Sequence, residues 1–442
     1  MNSLKMVSTG ILLLTSVTLA VPVLAAQIAQ HIVRSKVAGI DLIAYPTAVK
    51  DVVTIVGSLP AGDAFAGTGN VAVPTLVGMM LEHGTKSEDQ FKIAQQLESV
   101  GAEINFEVGI QLVQIHAKCL RKDLPLVVRL IAEQLRTPAF APAEFAKVQQ
   151  QAVGALRQSL ENTNARASEA FNRAVFPKGH PNHPAATEEM IAAVQSASLE
   201  DLKKFHQAHY GPAHLTLIVV GDFDVRQLQA DVAQGFAGWT GGSDFLQAAP
   251  ANLAVAPQEI AVPVAGKTSV SIELGAATGL KYRDPDALAL RVGTAIFGSG
   301  FTSRLMGSVR DKEGLTYGIG AGMGEDALTD GYWKISGSFA PSLLEKGTVS
   351  TRRELLKWSH DGVTAAELAA RKTNIVGSYQ VSLATTGGLA MAIQQAVLRG
   401  YPVSWLDDYP RAIEALTLDE VNRVIKKHIE PQKMVFVKAG TV

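Results

Sequence analysis

Arg310 and Tyr317 stand seven residues apart in the segment Gly298–Gly322, GSGFTSRLMGSVRDKEGLTYGIGAG. A permanent cation and a phenol brought to one place can grip a peptide carbonyl, because both present hydrogen-bond donors to an oxygen. The local pattern says how they would meet. Thr302–Lys312 reads as a helix with Leu305, Met306 and Val309 on one face. Gly314 follows where a helix usually stops, and Leu315–Ile319 has strand character. The turn, rather than a shared helix face, would therefore join the pair. The plainer alternative is that Arg310 favours the negative end of the helix dipole and Tyr317 is a half-buried strand residue.

Other chemistry-bearing residues are sparser. His180-Pro-Asn-His183 and His206-Gln-Ala-His209 each space two histidines by three. No Asp, Glu or Cys stands beside them as a further ligand, so structural places are the favoured reading. Gly298-Ser-Gly300 lacks the third glycine and the Lys-Ser/Thr of a phosphate loop, and fits better as a close approach of two backbones. The lone Cys119 excludes an internal disulfide and a thiolate metal site, and its alternating surroundings, Leu112–Leu120, place it in a strand core.

The elements that must position these residues fall into two halves. The 442 residues are 47% apolar and 18% charged, which describes a globular chain with room for more than one domain. Forty basic and 41 acidic residues leave a net charge of −1, which points to neither nucleic acid nor an anionic membrane as partner. At the start, Lys5 precedes an apolar run ending in Val23-Leu24-Ala25-Ala26. That is the form of a secretory signal, 1–26, cleaved after Ala25 or Ala26, and it predicts a periplasmic protein.

Strand patterns at Ile40–Tyr45, Val52–Val56, Ala102–Val108 and Leu112–Leu120 alternate with helical ones at Val73–Met80, Ser87–Gly101, Leu124–Leu135, Pro142–Glu161 and Val194–His209. Leu215–Val220 is a fully apolar strand. Residues 241–263, with three prolines and little periodicity, read as a linker between an N-terminal domain, 27–240, and a C-terminal one, 264–442.

The second half repeats the first. Ala143-Glu144-Phe145-Ala146 with Val153-Gly154 matches Ala366-Glu367-Leu368-Ala369 with Val376-Gly377 at a shift of 223. Ser198-Leu199-Glu200-Asp201, His209, Pro212 and Gly221 match Thr417-Leu418-Asp419-Glu420, His428, Pro431 and Gly440 at a shift of 219. The fold class is α+β, an internal duplication of a unit of about 200 residues, too long for a solenoid repeat.

These features resemble the insulinase/pitrilysin-type (inverted zincin) metallopeptidases, and in particular bacterial proteins similar to mitochondrial processing peptidase. The resemblance covers the whole mature chain. It rests on the Val73–Thr85 helix with its Gly-Thr ending, His180-Pro181, Tyr210-Gly211-Pro212 before the Leu215–Asp222 strand, and above all Phe297–Gly318. It implies two LuxS/insulinase-like halves closing as a clam shell over an extended or unfolded peptide. It also implies that Arg310 and Tyr317 contact substrate and stabilise the oxyanion.

The family's catalytic signature, H-x-x-E-H, places two zinc ligands and a water-activating Glu on one helix. Here those positions fall on Thr75-Leu76-Val77-Gly78-Met79, so Thr75, Gly78 and Met79 stand where the first His, the Glu and the second His belong. A looser register, Met79-Met80-Leu81-Glu82-His83, restores Glu and one His but offers a thioether as first ligand. The third family ligand is a Glu on the later helix, yet Phe145–Leu160 contains no acidic residue, and Glu161 is the nearest. No zinc is expected in this chain. By resemblance, it is a subunit with no activity alone, lending Arg310 and Tyr317 to the zinc site of a homologous partner in a heterodimer. The alternative is a peptide-binding or scaffold subunit with no part in proteolysis.

Overall fold

The computed structural model describes residues 28–251 and 256–442. The expected secretory segment, 1–26, lies outside the described residues.

The first sheet is built from β1 (Val33–Val37), β2 (Ile40–Pro46), β3 (Val52–Leu59), β4 (Glu103–Val108), β5 (Val113–Leu120) and β6 (Thr216–Gly221). Their spatial order is β1-β2-β6-β3-β5-β4, with only β2 and β6 parallel. The second sheet contains β7 (Glu259–Pro263), β8 (Val270–Ala277), β9 (Thr316–Gly324), β10 (Tyr332–Phe339) and β11 (Val435–Gly440), in the order β7-β11-β8-β10-β9. Again one pair, β7 with β11, is parallel. The two orders superpose strand for strand, apart from the extra edge strand β1. The last five residues of the expected linker thus form a strand of the second sheet.

The helices of the first half are α1 (Val73–Met80), α2 (Gln90–Val100), α3 (Leu124–Arg136), α4 (Pro142–Leu160), α5 (Thr163–Val175), α6 (Thr187–Ser196), α7 (Leu199–His209) and α8 (Val225–Gly235). Those of the second are α9 (Ala287–Gly298), α10 (Leu344–Asp361), α11 (Ala365–Ser382), α12 (Thr386–Leu398), α13 (Trp405–Ala415) and α14 (Leu418–His428). No single described helix is long and apolar enough to cross a membrane.

Two local expectations are refined. The helix over Val194–His209 is broken at Ala197–Ser198, because Ser198 and Asp201 close a capping box that starts α7 afresh. The helix expected over Ser87–Gly101 begins only at Gln90 and is capped by Asp89, whose carboxylate accepts from the Lys92 amide at 2.8 Å.

Burial explains why some strands alternate and others do not. In β5, Val113, Ile115, Ala117 and Cys119 turn to the first core, while the residues between them are half-buried or exposed. In β6, every residue from Leu217 to Gly221 is buried. Leu217 and Val219 face the first core, but Ile218 and Val220 meet Leu389, Ala390 and Ile393 of α12, a helix from the second half. The reverse holds for β11. Phe436 faces the second core, whereas Val435, Val437 and Ala439 meet Ala167, Phe171 and Val175 of α5.

Each half therefore covers the other's sheet. The exchange is marked by a hydroxyl pair at each site: Thr163 with Ser271 at 2.7 Å, and Thr386 with Thr54 at 2.9 Å. Phe171 is fully buried in this seam, and full burial of such a side chain is worth about 1.5–3 kcal/mol. The seam holds the halves together.

Candidate functional site

The expected corner is present. Leu305 and Val309 anchor its helical arm in the second core with Met306. The turns over Met306–Lys312 are π-helical rather than α-helical. The arm ends where the Gly314 amide donates to the Arg310 carbonyl at 2.9 Å and the Leu315 amide donates to the Val309 carbonyl at 3.0 Å. Gly314 has φ +63°, a left-handed conformation that side chains with a Cβ resist.

Beyond the corner, β9 pairs with β10 through a bulge. Phe339 stands opposite Thr316 and Ser338 opposite Gly318, so Tyr317 is the extra residue without a partner. A bulge re-aims a side chain out of a sheet. Tyr317 is accordingly 87% exposed.

The bulge and the corner bring Arg310 to Tyr317. The guanidinium carbon lies 5.2 Å from the Tyr317 ring centre and 5.1 Å from that of Phe301, itself 73% exposed. Among the described residues the guanidinium makes no hydrogen bond, and the nearest carboxylate is that of its neighbour Asp311, at 4.0 Å. The result is a cation held by two aromatic faces with its N–H groups left for a ligand. Phe301 was not singled out in the sequence; the apolar residue after Gly298-Ser-Gly300 was the only signal for it. Gly298 itself packs on β9, where a Cβ would stand 2.2 Å from the Ala321 amide, so the two-backbone reading of that glycine segment holds at Gly298.

The three zinc-signature positions lie on α1. The Thr75 hydroxyl donates to the Asp63 carboxylate at 2.6 Å. Gly78 is pressed against β4: a Cβ there would meet Val108 Cγ2 at 2.1 Å. Met79 packs half-buried against the first core. The looser register fails geometrically as well, because α1 ends at Met80 and leaves Glu82 and His83 off its face. Glu82 accepts from the Phe106 amide at 3.0 Å, and His83 pairs with Glu144 at 3.2 Å. Glu161 binds Lys267 at 2.7 Å. No group of three or more His, Cys, Asp or Glu among the described residues is placed to hold a metal. Zinc does not fit these donors.

What occupies that region is a protonatable acid. Burial raises the Asp63 carboxyl to about 6, against the opposing pull of the Thr75 hydrogen bond. The buried Tyr210 hydroxyl, which has no hydrogen-bond partner among the described residues, is pushed up by burial and by the nearby Asp63.

The paired histidines have structural partners. His180 Nε2 meets Asp330 Oδ1 at 3.1 Å, and Asn182 donates to the Asp330 and Glu325 carbonyls, tying the halves together. His183 meets the Phe176 carbonyl, His206 the Leu135 carbonyl and His209 the Ser243 hydroxyl. His428, the repeat partner of His209, pairs with Asp286 at 2.9 Å.

Comparison with known proteins bears directly on this arrangement. The model of the insulinase family (peptidase family M16) matches residues 47–186, and that described as the peptidase M16 inactive domain matches 196–375. The chain belongs to the M16 (insulinase) peptidase family. Among similar proteins, an uncharacterized zinc protease of Streptomyces coelicolor is 24% identical over 368 residues, 78% of this chain and 76% of that protein. The Helicobacter pylori protein named non-peptidase homolog YmxG is 22% identical over 388 residues, 84% of this chain and 87% of that protein. The crystal structure of a peptidase M16 inactive domain from Pseudomonas fluorescens superposes with a TM-score of 0.84 at 23% identity, covering 93% of this chain and 98% of that one. The match to the inactive-domain model, the relative named a non-peptidase homolog, and Thr75, Gly78 and Met79 at the signature positions of α1 together make this chain a non-catalytic member of the M16 family.

Proposed function

We propose that the chain is the non-catalytic subunit of a periplasmic, heterodimeric zinc peptidase. Arg310 and Tyr317 reach into the H-x-x-E-H site of a homologous, zinc-bearing subunit and bind the substrate carbonyl there. The observation that carries this reading is the exposed stack of Phe301, Arg310 and Tyr317, with unspent donors, in a chain whose own α1 offers no metal ligands. Charge developing on a carbonyl oxygen is stabilised best by donors already fixed in place. The relative named as a non-peptidase homolog supports a role other than independent proteolysis. Residues 1–26 carry the chain to the periplasm, and two domains, 27–240 and 264–442 with the Glu259–Pro263 strand joined to the second, close over an extended peptide.

The test is reconstitution. Cleavage of an unfolded peptide by the zinc-bearing M16 partner is measured alone, with this chain, and with its Arg310→Ala and Tyr317→Phe variants. Stimulation by the wild type and its loss in both variants is expected; equal stimulation by all three removes the shared site.

A scaffold role in a larger assembly is the second reading. It is favoured by 27% identity over 234 residues to the human protein named cytochrome b-c1 complex subunit 1, mitochondrial, half of this chain and 46% of that one. It predicts stable association with no effect on peptidase rate.

A further inference from the structure

A cavity of about 610 Å³ opens between α9, α11, α12 and α13. Its walls are aromatic. Tyr401 and Trp405 stack at 4.3 Å with their planes 8° apart, and Tyr379 and Tyr409 lie 4.8 Å from each other. Such a volume and lining are those of small-molecule sites rather than of packing defects.

Its charge is unbalanced. Arg371 and Arg399 line the cavity, and among the described residues no carboxylate does. Arg371 is satisfied by neutral groups, the Ser299 carbonyl at 2.8 Å and the Asn374 amide oxygen. Arg399 has no side-chain hydrogen-bond or carboxylate partner among the described residues, and its Nε is buried and unpartnered. The guanidinium instead stacks 3.6 Å from the centre of the Tyr282 ring. A second cation, Arg291, lies over the same ring at 4.1 Å, and Asp326 neutralises only that one through a direct ion pair. Two guanidiniums thus share one ring and one carboxylate. Arg399 is half-buried with its Nε fully so, and an uncompensated cation held there is unfavourable; burial pulls its guanidinium below its ordinary value. The pair carries one positive charge that no carboxylate among the described residues meets directly.

We infer that this cavity is a binding site for a carboxylate carried on an aromatic or apolar body. The carboxylate would pair with Arg399, in the bidentate geometry a guanidinium favours, and the body would lie against Tyr401 and Trp405. A free aromatic acid and the C-terminal residue of a peptide share this chemistry. The inference is independent of the heterodimer reading, since it uses none of Phe301, Arg310 or Tyr317.

The test is calorimetric titration of the full chain, without any partner subunit. The ligands are N-acetyl-phenylalanine, its amide, and a hexapeptide ending in phenylalanine as free acid and as amide. At least one acid should bind, with its amide about tenfold weaker or more. Binding of both acids identifies a free acid as sufficient; binding of the peptide acid alone identifies a chain terminus. Arg399→Met should lower acid binding at least about tenfold while leaving Tm unchanged or raised, because it removes an unpaired, half-buried charge. Ser378→Trp, at an exposed position on the wall, should block the acids with Arg399 intact and guards against a folding artefact. Equal binding of acid and amide, no acid binding up to about 10 mM, or acid binding unchanged in both variants overturns the inference.

Discussion

The guanidinium of Arg310 stands 5.2 Å from the ring of Tyr317 across a corner closed by Gly314. Neither side chain is spent on the protein itself. Arg310 forms no hydrogen bond among the described residues, and Tyr317 is turned outward by the bulge opposite Ser338 and Phe339. A half-buried guanidinium without hydrogen bonds and an exposed ring contribute little to stability, so their loss should be visible in function and nearly silent in folding.

Arg310→Ala and Tyr317→Phe should each lower partner-stimulated peptide cleavage by about 10²–10³-fold, the usual cost of one donor to a developing oxyanion. Both should melt within about 0.5 kcal/mol of the wild type, as surface changes do. Phe301→Ala should cost only a few-fold in the same assay, since it loosens one face of the stack, worth about 0.5–1 kcal/mol. Initial rates and thermal melts on the same preparations check all three.

Rebuilding the zinc signature should fail. Writing Thr75→His, Gly78→Glu and Met79→His into α1 drives a side chain into Val108, whose Cγ2 would lie 2.1 Å from the new Cβ. Overpacking of this kind costs about 1–3 kcal/mol. The triple variant should melt below the wild type and bind no stoichiometric zinc by metal analysis. Adding Val108→Ala should recover part of the Tm.

Asp63 should make stability fall as pH rises. Its carboxyl is raised to about 6 in the folded chain from an ordinary value near 3.8, so the folded state holds the proton more tightly than the unfolded one. The stabilisation is complete below about 3.8 and is lost as pH rises through about 6. Asp63→Asn should remove that slope from a plot of unfolding free energy against pH. An unchanged slope would assign it to another group.

Glu367 should act in the opposite direction. It accepts from Arg304 Nε at 2.7 Å and Nη2 at 2.6 Å, and it also closes the capping box of α11 with Thr364. The Arg304 hydrogen bonds lead in holding it down at about 2, against the raising effect of burial, with Thr364 helping. Its contribution is present above the ordinary carboxyl range and is lost as pH falls towards 2. Acid titrations of Glu367→Gln should show a shallower loss between about 4.5 and 2 than the wild type.

The exchanged helices should make the halves unfold together. Phe171→Ala empties a fully buried site between α5 and the second sheet, a change that costs about 3–5 kcal/mol. Calorimetry should show one transition at lower temperature. Two resolved transitions, with the first-half melt unmoved, would mean that the seam does not couple the halves.

Much of this molecule could be read without coordinates. The repeats at shifts of 223 and 219 correspond to α4 with α11, α7 with α14, and β6 with β11, because helical and strand periodicities are local properties of the chain. The residue types at Thr75, Gly78 and Met79 were enough to remove zinc chemistry from α1, since ligand chemistry depends first on which atoms are present. The spacing of Arg310, Gly314 and Tyr317 likewise named the corner. Tertiary structure alone decided which sheet α5 and α12 cover. An apolar helix face does not specify which of two similar sheets it will bury, and that choice rests on contacts more than 100 residues apart in sequence, such as Thr163 with Ser271. It alone supplied Phe301 as the second face of the stack, the bulge that frees Tyr317, and the sharing of the Tyr282 ring by Arg291 and Arg399. Each of these depends on strand register or on helices meeting in space, and neither is encoded by the spacing of neighbours along the chain.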